Sequence, residues 1–360
     1  MRHHPSVPRP LIVTSDPDVL EELLRLAAAA GIEVDVAPDA GSARPRWSHA
    51  GLVVVAVDAA RGCARLRLPR RSAVVLLGNN LDDPAVWQLA VEVGAERVVF
   101  LPEDEDWVAS ALADAVESRG TEGAVVAVLG GRGGAGATTL AAALAVTGTR
   151  TGRSVLLVDG DPLGGGVDLV FGGESDPGLR WPDLDDTRGR VPAAALAEAL
   201  PQMAGLSVLS WDRGAATAVP PEAMTAVLAA GRRAHDLVVV DLPRSADEAA
   251  RVVLAAASCV LLVVPAEVRA AAAAGRVAAS VGLLCRDLRV VVRGPAPSGL
   301  DGGAIARALG LPLVGQLRPE PGLALALERG EAPGRRGRGP LADLCGQLVE
   351  ELVPSLRRAA

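Results

Sequence analysis

The chain contains no lysine and no tyrosine, and only 2% of its 360 residues are aromatic. The first absence excludes Schiff-base lysines and any lysine in a phosphate loop. The second excludes tyrosine acids. All 36 basic residues are therefore arginine. Such a bias toward Arg, Ala and Gly reads as the mark of a GC-rich genome, not as selection for guanidinium chemistry. Cysteine is scarce: Cys63, Cys259, Cys285 and Cys345 include no C-x-x-C pair. The histidines stand at positions 3, 4, 49 and 235, without metal-ligand spacing. Neither a zinc site nor a disulfide scaffold is expected, and a reducing cytoplasm fits. Excess positive charge is missing too. A net charge of −7 argues against a surface built for nucleic acid. Met1 to Pro10 lacks the apolar core of a signal peptide. The longest uncharged apolar run, Val252 to Ala266, is too short to span a membrane and includes Ser258. A soluble protein is expected, peripheral to a membrane at most.

Apolar residues make up 50% of the chain, enough for a large core, and the length suggests two domains. The first 120 residues alternate short β-rich runs with helical patterns. Strands are expected over Leu11–Thr14, Ile32–Val36, Leu52–Val57, Ala73–Leu77 and Arg97–Phe100. Between the first two, Ser15-Asp16-Pro17 supplies a cap and an N1 proline, and a helix runs on to Gly31. Five strands with crossovers predict a doubly wound, flavodoxin-like parallel sheet.

This block, residues 1–120, resembles a response-regulator receiver domain. A working receiver, by that resemblance, needs acids after its first strand, an aspartate ending the third, a hydroxyl after the fourth and a Lys-Pro after the fifth. Here Asp16 and Asp18 follow the first strand, Asp58 comes two residues late with Ala56 in its slot, Gly78 replaces the hydroxyl and Leu101-Pro102 replaces Lys-Pro. Without that lysine the phosphoryl oxygens lose their fixed cation. The expected outcome is a pseudo-receiver that docks or dimerises. The five arginines from Arg61 to Arg71 are expected as a solvated connection.

Residues 117–123 read as a linker, and a second α/β domain is expected over 121–360. Its strands are expected at Val125–Leu129, Val155–Val158, Ser207–Leu209, Leu237–Val240, Val260–Val264, Arg289–Val292 and Leu313–Val314. Helices are expected at Thr138–Arg150, Ala193–Leu200, Pro221–Ala234, Ala270–Cys285 and Leu341–Val353. The first strand runs into Gly130-Gly131-Arg132-Gly133-Gly134-Ala135-Gly136-Ala137-Thr138-Thr139 and then a helix, the context a phosphate loop requires. In the G-x-x-x-x-G-K-[ST] template Gly131, Gly136 and Thr138 match, while Ala137 sits in the lysine slot. Two further apolar strands end in acids: one in Asp159 and Asp161, the other in Asp241. An acid at the C-terminal end of a parallel strand faces the ligand crevice, where it orders Mg²⁺ water or positions a nucleophilic water.

With these motifs, residues 124 to about 353 resemble the ParA/MinD family of deviant Walker-type P-loop ATPases, whose sheet is parallel with helices on both faces. The resemblance implies ATP or ADP and Mg²⁺ as cofactors. It puts Arg132 in the signature-lysine slot and Ala137 in the loop-lysine slot, so both loop lysines are absent. Thr138 takes the magnesium-ligand hydroxyl, Asp159 and Asp161 the switch acids, and Asp241 the Walker B acid. Residues 131–139, Gly133, Gly134, Ala135 and Thr139 included, would bind nucleotide, with Asp159, Asp161 and Arg132 as catalytic candidates and Thr138, Asp159 and Asp241 as metal candidates. Arg293 lies where the family recognises the base, without the usual asparagine. A degenerate receiver joined to such a module resembles the CpaE/TadZ branch. The segments 178–184, 206–211 and 240–244 are similar to its actinobacterial, CpaE-like or septum-site-determining form.

The resemblance implies a nucleotide-dependent homodimer that positions a tight-adherence (Flp/Tad-type) pilus, a secretion apparatus or the division septum. Losing the loop lysine costs about 1.5–3 kcal/mol of binding, so weak ATP binding with slow or absent hydrolysis is expected. An active ATPase using Arg132 in trans is the alternative. A DNA-binding partition protein using Arg329, Arg335, Arg336 and Arg338 is a third, and nucleic acid runs against the net charge. In the last helix Leu341, Leu344, Leu348 and Leu352 share a face. Its polar face is acidic, so packing on the domain's own core is expected over membrane contact.

Overall fold

The chain divides into two compact units, Met1–Thr121 and Glu122–Ala360. The structure, a computed structural model, describes residues 9–80, 83–117, 122–187, 189–214, 218–297 and 299–353. Most of the expected linker lies outside these, as do the first eight residues and the Arg357-Arg358 pair.

In the first unit β1 (Leu11–Val13) leads into α1 (Pro17–Ala29). Asp16 caps that helix by accepting from the amides of Asp18 (3.0 Å) and Val19 (3.3 Å), with Pro17 pre-set at N1. β2 (Asp35–Ala37) starts three residues later than expected. The reason lies at the end of α1, where the chain turns through Gly31 at φ +70° and the Ile32 amide donates to Ala27 O at 2.9 Å. That helix-terminating bond withholds Ile32 from a strand ladder.

Then come α2 (Ala40–Trp47), β3 (Val53–Ala56), α3 (Val57–Arg65), β4 (Val74–Gly78), α4 (Pro84–Val93), β5 (Arg97–Phe100) and α5 (Glu105–Glu117). The five strands form one parallel sheet in the order β2-β1-β3-β4-β5. Successive strand residues bury into opposite layers, so both faces are covered. Asp58 sits in the first turn of α3 rather than at a strand end. The arginines after it do more than connect: Arg61, Arg65, Arg67 and Arg70 line a cleft of about 750 Å³ beside α4.

The second unit opens with β6 (Ala124–Gly130), α6 (Ala137–Arg150) and β7 (Val155–Asp159). Next are α7 (Ala193–Ala199), β8 (Gln202–Met203), β9 (Leu206–Leu209), α8 (Pro221–Ala234), β10 (Leu237–Leu242) and α9 (Glu248–Ala256). The remainder is β11 (Cys259–Pro265), α10 (Val268–Val281), β12 (Leu288–Arg293), α11 (Gly302–Leu309), β13 (Leu313–Leu317), α12 (Leu323–Glu328) and α13 (Pro340–Leu352). The sheet order is β13-β12-β11-β6-β10-β7-β9-β8. All pairings are parallel except β8 with β9, a short hairpin turned by Ala204 at φ 50° and Gly205 at φ 82°. Alternate residues of β6 enter the two cores: Val125, Ala127 and Leu129 one, Val126 and Val128 the other.

The apolar run from Val252 to Ala266 is split between α9 and β11, with Asp247 capping the helix through the Ala250 amide at 2.8 Å. The last helix buries Leu341, Leu344, Cys345, Leu348 and Val349 in the same core as α6. Its apolar face is therefore used within the unit. No helix among the described residues is long and apolar enough to cross a membrane.

Candidate functional site

β6 and α6 are joined by six residues at the C-terminal edge of the sheet, the side on which parallel α/β proteins bind ligands. In this loop the Gly131 amide donates to Val263 O at 2.8 Å and the Ala135 amide to Arg132 O at 3.3 Å, and Gly136 O accepts from the Leu140 amide at 3.0 Å. A side chain at Gly131 would collide with Ala274, its β-carbon standing 2.7 Å from Ala274 Cβ. Gly136 adopts φ +96°, a conformation that favours glycine, and begins α6 without a side-chain cap. Among the described residues, the amides of Gly133, Gly134, Gly136, Ala137, Thr138 and Thr139 find no acceptor. A β-carbon on Gly133 or Gly134 would meet nothing within 4 Å. The loop thus presents a row of free N–H donors, backed by the positive end of α6, to open space.

Thr138, in the first turn of this helix, donates its hydroxyl to Asp241 Oδ2 at 2.6 Å. Asp241 is 4% exposed and stands beside Asp159 in the β10–β7 register. Burial pushes its carboxyl up to about 7, and the Thr138 hydrogen bond offsets only part of this. Asp159 is 1% exposed, and burial likewise raises its carboxyl to about 7. Its oxygens accept from the amides of Val167 (2.8 Å) and Asp161 (3.2 Å) and from Ser210 Oγ (3.3 Å). Asp161 is half-buried, and its carboxylate accepts from the Leu163 amide at 3.0 Å. Among the described residues no three His, Cys, Asp or Glu side chains form a preformed metal cage. That donor set still fits Mg²⁺, which keeps several waters and takes only one or two protein ligands beside phosphate oxygens.

Arg132 does not stand free. Its Nη2 lies 2.7 Å from Glu267 Oε1, at the start of α10, and its Nε is buried without a hydrogen-bond partner. Arg293 ends β12, and its guanidinium lies over the loop: a β-carbon on Gly136 would stand 3.3 Å from Arg293 Nη1. The structure thus brings Gly131, Arg132, Gly133, Gly134, Ala135, Gly136, Ala137, Thr138, Thr139, Asp241 and Arg293 to one edge of the sheet, with Asp159 and Asp161 on the adjoining strand end.

Sequence reasoning missed Asp168. It is 1% exposed and accepts from Arg213 Nη2 (2.9 Å) and Ser210 Oγ (3.2 Å), with Arg180 Nε at 3.8 Å. Ser210 also reaches Asp159, so one network ties the segment after β7 to the acid at its end. The tryptophans of the 178–184 and 206–211 segments pack here, 6.1 Å apart, and Trp181 Nε1 donates to Asp159 O at 2.6 Å. The arginines 329, 335, 336 and 338 line a separate cleft of about 630 Å³ together with Glu320 and Glu331, so its charge is mixed.

In the first unit Asp58 is turned back onto the β1–α1 loop. Its Oδ1 accepts from Thr14 Oγ1 (3.0 Å), and its Oδ2 from Ser15 N (2.7 Å) and Ser15 Oγ (2.8 Å). Burial opposes its ionisation, but the Ser15 and Thr14 hydrogen bonds outweigh that and hold its carboxyl below the ordinary value.

Residues 13–123 match the family model described as Rv3660c-like, CheY-like N-terminal domain. The chain is 44% identical over 340 residues to the uncharacterized protein Rv3660c of Mycobacterium tuberculosis, covering 93% of this chain and 95% of the relative. The second unit has the MinD/ParA-like P-loop fold. A ParA family ATPase from Chlorobium tepidum TLS aligns with a TM-score of 0.55 at 16% identity, over 63% of this chain and 97% of that one. The Pyrococcus furiosus cell division ATPase MinD aligns at 0.53 and 22%, over 64% and 98%. Aquifex aeolicus MinD, in a complex with MinC, aligns at 0.52 and 24%, over 64% and 98%.

Proposed function

The chain belongs to the Rv3660c-like family, with a CheY-like first domain and a MinD/ParA-like second, and on that premise we propose that it is a nucleotide-switched positioning factor. It binds ATP or ADP with Mg²⁺ at the 131–139 loop, and ATP promotes a homodimer. The dimer places a partner assembly, either a Flp/Tad-type pilus or secretion apparatus or the division septum. The observation that carries this reading is the row of free loop amides beside the Thr138–Asp241 pair.

In this reading the amides of residues 133–139 receive the phosphates and Gly136 lets them approach the backbone. Thr138 and Asp241 hold Mg²⁺ directly or through its waters. Bound Mg²⁺ neutralises phosphate charge, the main service a metal gives phosphoryl transfer. Asp159 anchors the following segment through Val167 and Ser210, so that segment can register what occupies the loop. Asp161 orients water near the phosphates.

Hydrolysis is slow or absent. Ala137 contributes no charge, and Arg132 is held by Glu267. Positioning and charge neutralisation are nearly all that catalyses phosphoryl transfer, so this arrangement suits a switch better than an engine. Calorimetry of the full chain with ATP, with and without Mg²⁺, tests the reading. It predicts Mg²⁺-dependent binding of modest affinity. No heat and no thermal shift at high protein and nucleotide concentration would overturn it.

A further inference from the structure

We infer that Arg293 supplies, from within the same chain, the phosphate-directed positive charge that the loop lacks at Ala137. The inference rests on the nucleotide reading above and assigns Arg293 a task other than contact with the base.

Arg293 is fixed at the root. It is the last residue of β12, paired in register with Pro265 and with Leu317. Its carbonyl accepts from the Ala266 amide at 2.8 Å, and the next residue, Gly294, donates to Leu317 O at 2.8 Å. Only the side chain is therefore left to choose a direction. β12 lies two strands from β6 in the sheet, which is about 9–10 Å at ordinary strand spacing. An arginine can cross most of that gap, and this one does: its Nη1 and Cδ would stand 3.3 and 3.5 Å from a β-carbon on Gly136. Any side chain at Gly136 would press on the guanidinium, a second reason for glycine there besides its φ of +96°.

Among the described residues Arg293 forms no ion pair, and its Nε is buried without a hydrogen-bond partner. A buried N–H without an acceptor is unfavourable until water or an anion completes the site. The neighbouring loop amides, from Gly133 to Thr139 but for Ala135, also lack acceptors, so donors and cation converge on one space. Arg132, the other cation of the loop, is engaged by Glu267. Arg293 is thus the cation of this site that is left for a ligand. A planar guanidinium reading phosphate oxygens suits polyphosphate better than the uncharged edge of a base.

The test compares Mg·ATP with inorganic Mg·triphosphate, which has no base, by calorimetry on the full chain. Arg293→Gln should weaken both ligands by the same factor, about ten- to a hundredfold, as expected for one charge-assisted contact. Arg293→Lys, which keeps the charge, should retain most of the affinity. Adding Ala137→Lys to Arg293→Gln should restore binding, because the new ammonium serves the same oxygens. An unchanged affinity for ATP in Arg293→Gln would overturn the assignment, and so would a loss confined to ATP with triphosphate unaffected. If Arg293→Gln loses the melting transition of the parent, Arg293→Lys and Ala137→Lys alone carry the comparison: an Arg293→Lys variant that binds neither ligand, or a gain of about ten- to a hundredfold for both ligands in Ala137→Lys alone, as if no cation already served those oxygens, overturns it. Failure of the unmodified chain to bind either ligand would instead overturn the nucleotide reading itself.

Discussion

Asp241→Asn is the substitution whose effect can be worked most fully from the structure. The carboxyl of Asp241 is raised by burial from 3.8 to about 7, against partial relief from Thr138. An unfolded aspartate ionises near pH 4, so below that the group is protonated in both states and costs nothing. As pH climbs toward 7 the unfolded chain releases its proton while the folded chain retains it, and stability falls. Above 7 the penalty is complete. Three pH units correspond to about 4 kcal/mol, an upper bound because Asp159 titrates alongside in the adjacent register. Asparagine keeps an acceptor for the Thr138 hydroxyl and removes the ionisation. The unliganded variant should melt at nearly the parent's temperature at pH 4 and several degrees above it at pH 8, since about 1 kcal/mol moves a domain of this size by about 2–4 °C. The same variant should lose Mg²⁺-dependent nucleotide binding. Thermal melting without ligand at both pH values is the assay. A variant less stable than the parent at pH 8, or a difference that ignores pH, would refute the reasoning about this buried acid.

The CheY-like domain should resist phosphorylation, since both oxygens of Asp58 are engaged by Thr14 and Ser15 and Leu101 stands where a cation is needed; a phosphoryl adduct mapped to Asp58 after incubation with a small phosphodonor would contradict this. Arg132→Ala should weaken ATP-dependent dimerisation more than binding to the monomer, and Glu267→Gln, which frees the guanidinium from its 2.7 Å partner, should strengthen dimerisation. Sedimentation of both variants with ATP checks that pair of expectations. Nucleotide binding should release protons near pH 6.5, because a buried acid raised to about 7 must ionise to serve Mg²⁺. Calorimetry in buffers of different ionisation enthalpy reads that release directly, and affinity should rise from pH 6 to pH 8.

The parts of the site legible in the sequence are those set by local spacing. Glycines 131 and 136, Thr138 and the acids ending apolar runs sit within single strand–loop–helix units, so chain order alone brings them to one edge. What was not legible depends on distant pairings. Arg132 meets Glu267 across 135 positions, and nothing near either residue announces the other. Asp168 reads as an ordinary loop acid until Ser210 and Arg213, more than forty residues on, close around it. In the first domain α3 escaped notice because it follows β3 with no side-chain cap, its N-cap being Ala56. The β2 boundary slipped because an apolar pattern cannot say whether Ile32 finishes a helix or starts a strand. There the hydrogen bond from Ile32 to Ala27 decided.

The central claim is that ATP at the 131–139 loop switches the chain between monomer and dimer. Light scattering on the full chain with Mg²⁺, at equal protein concentration without nucleotide, with ADP and with ATP, measures this most directly. Without nucleotide the mass of one chain is expected, and with ATP a shift toward twice that mass, which Asp241→Asn abolishes. A mass that is the same in all three conditions, while calorimetry confirms that ATP is bound, would contradict it.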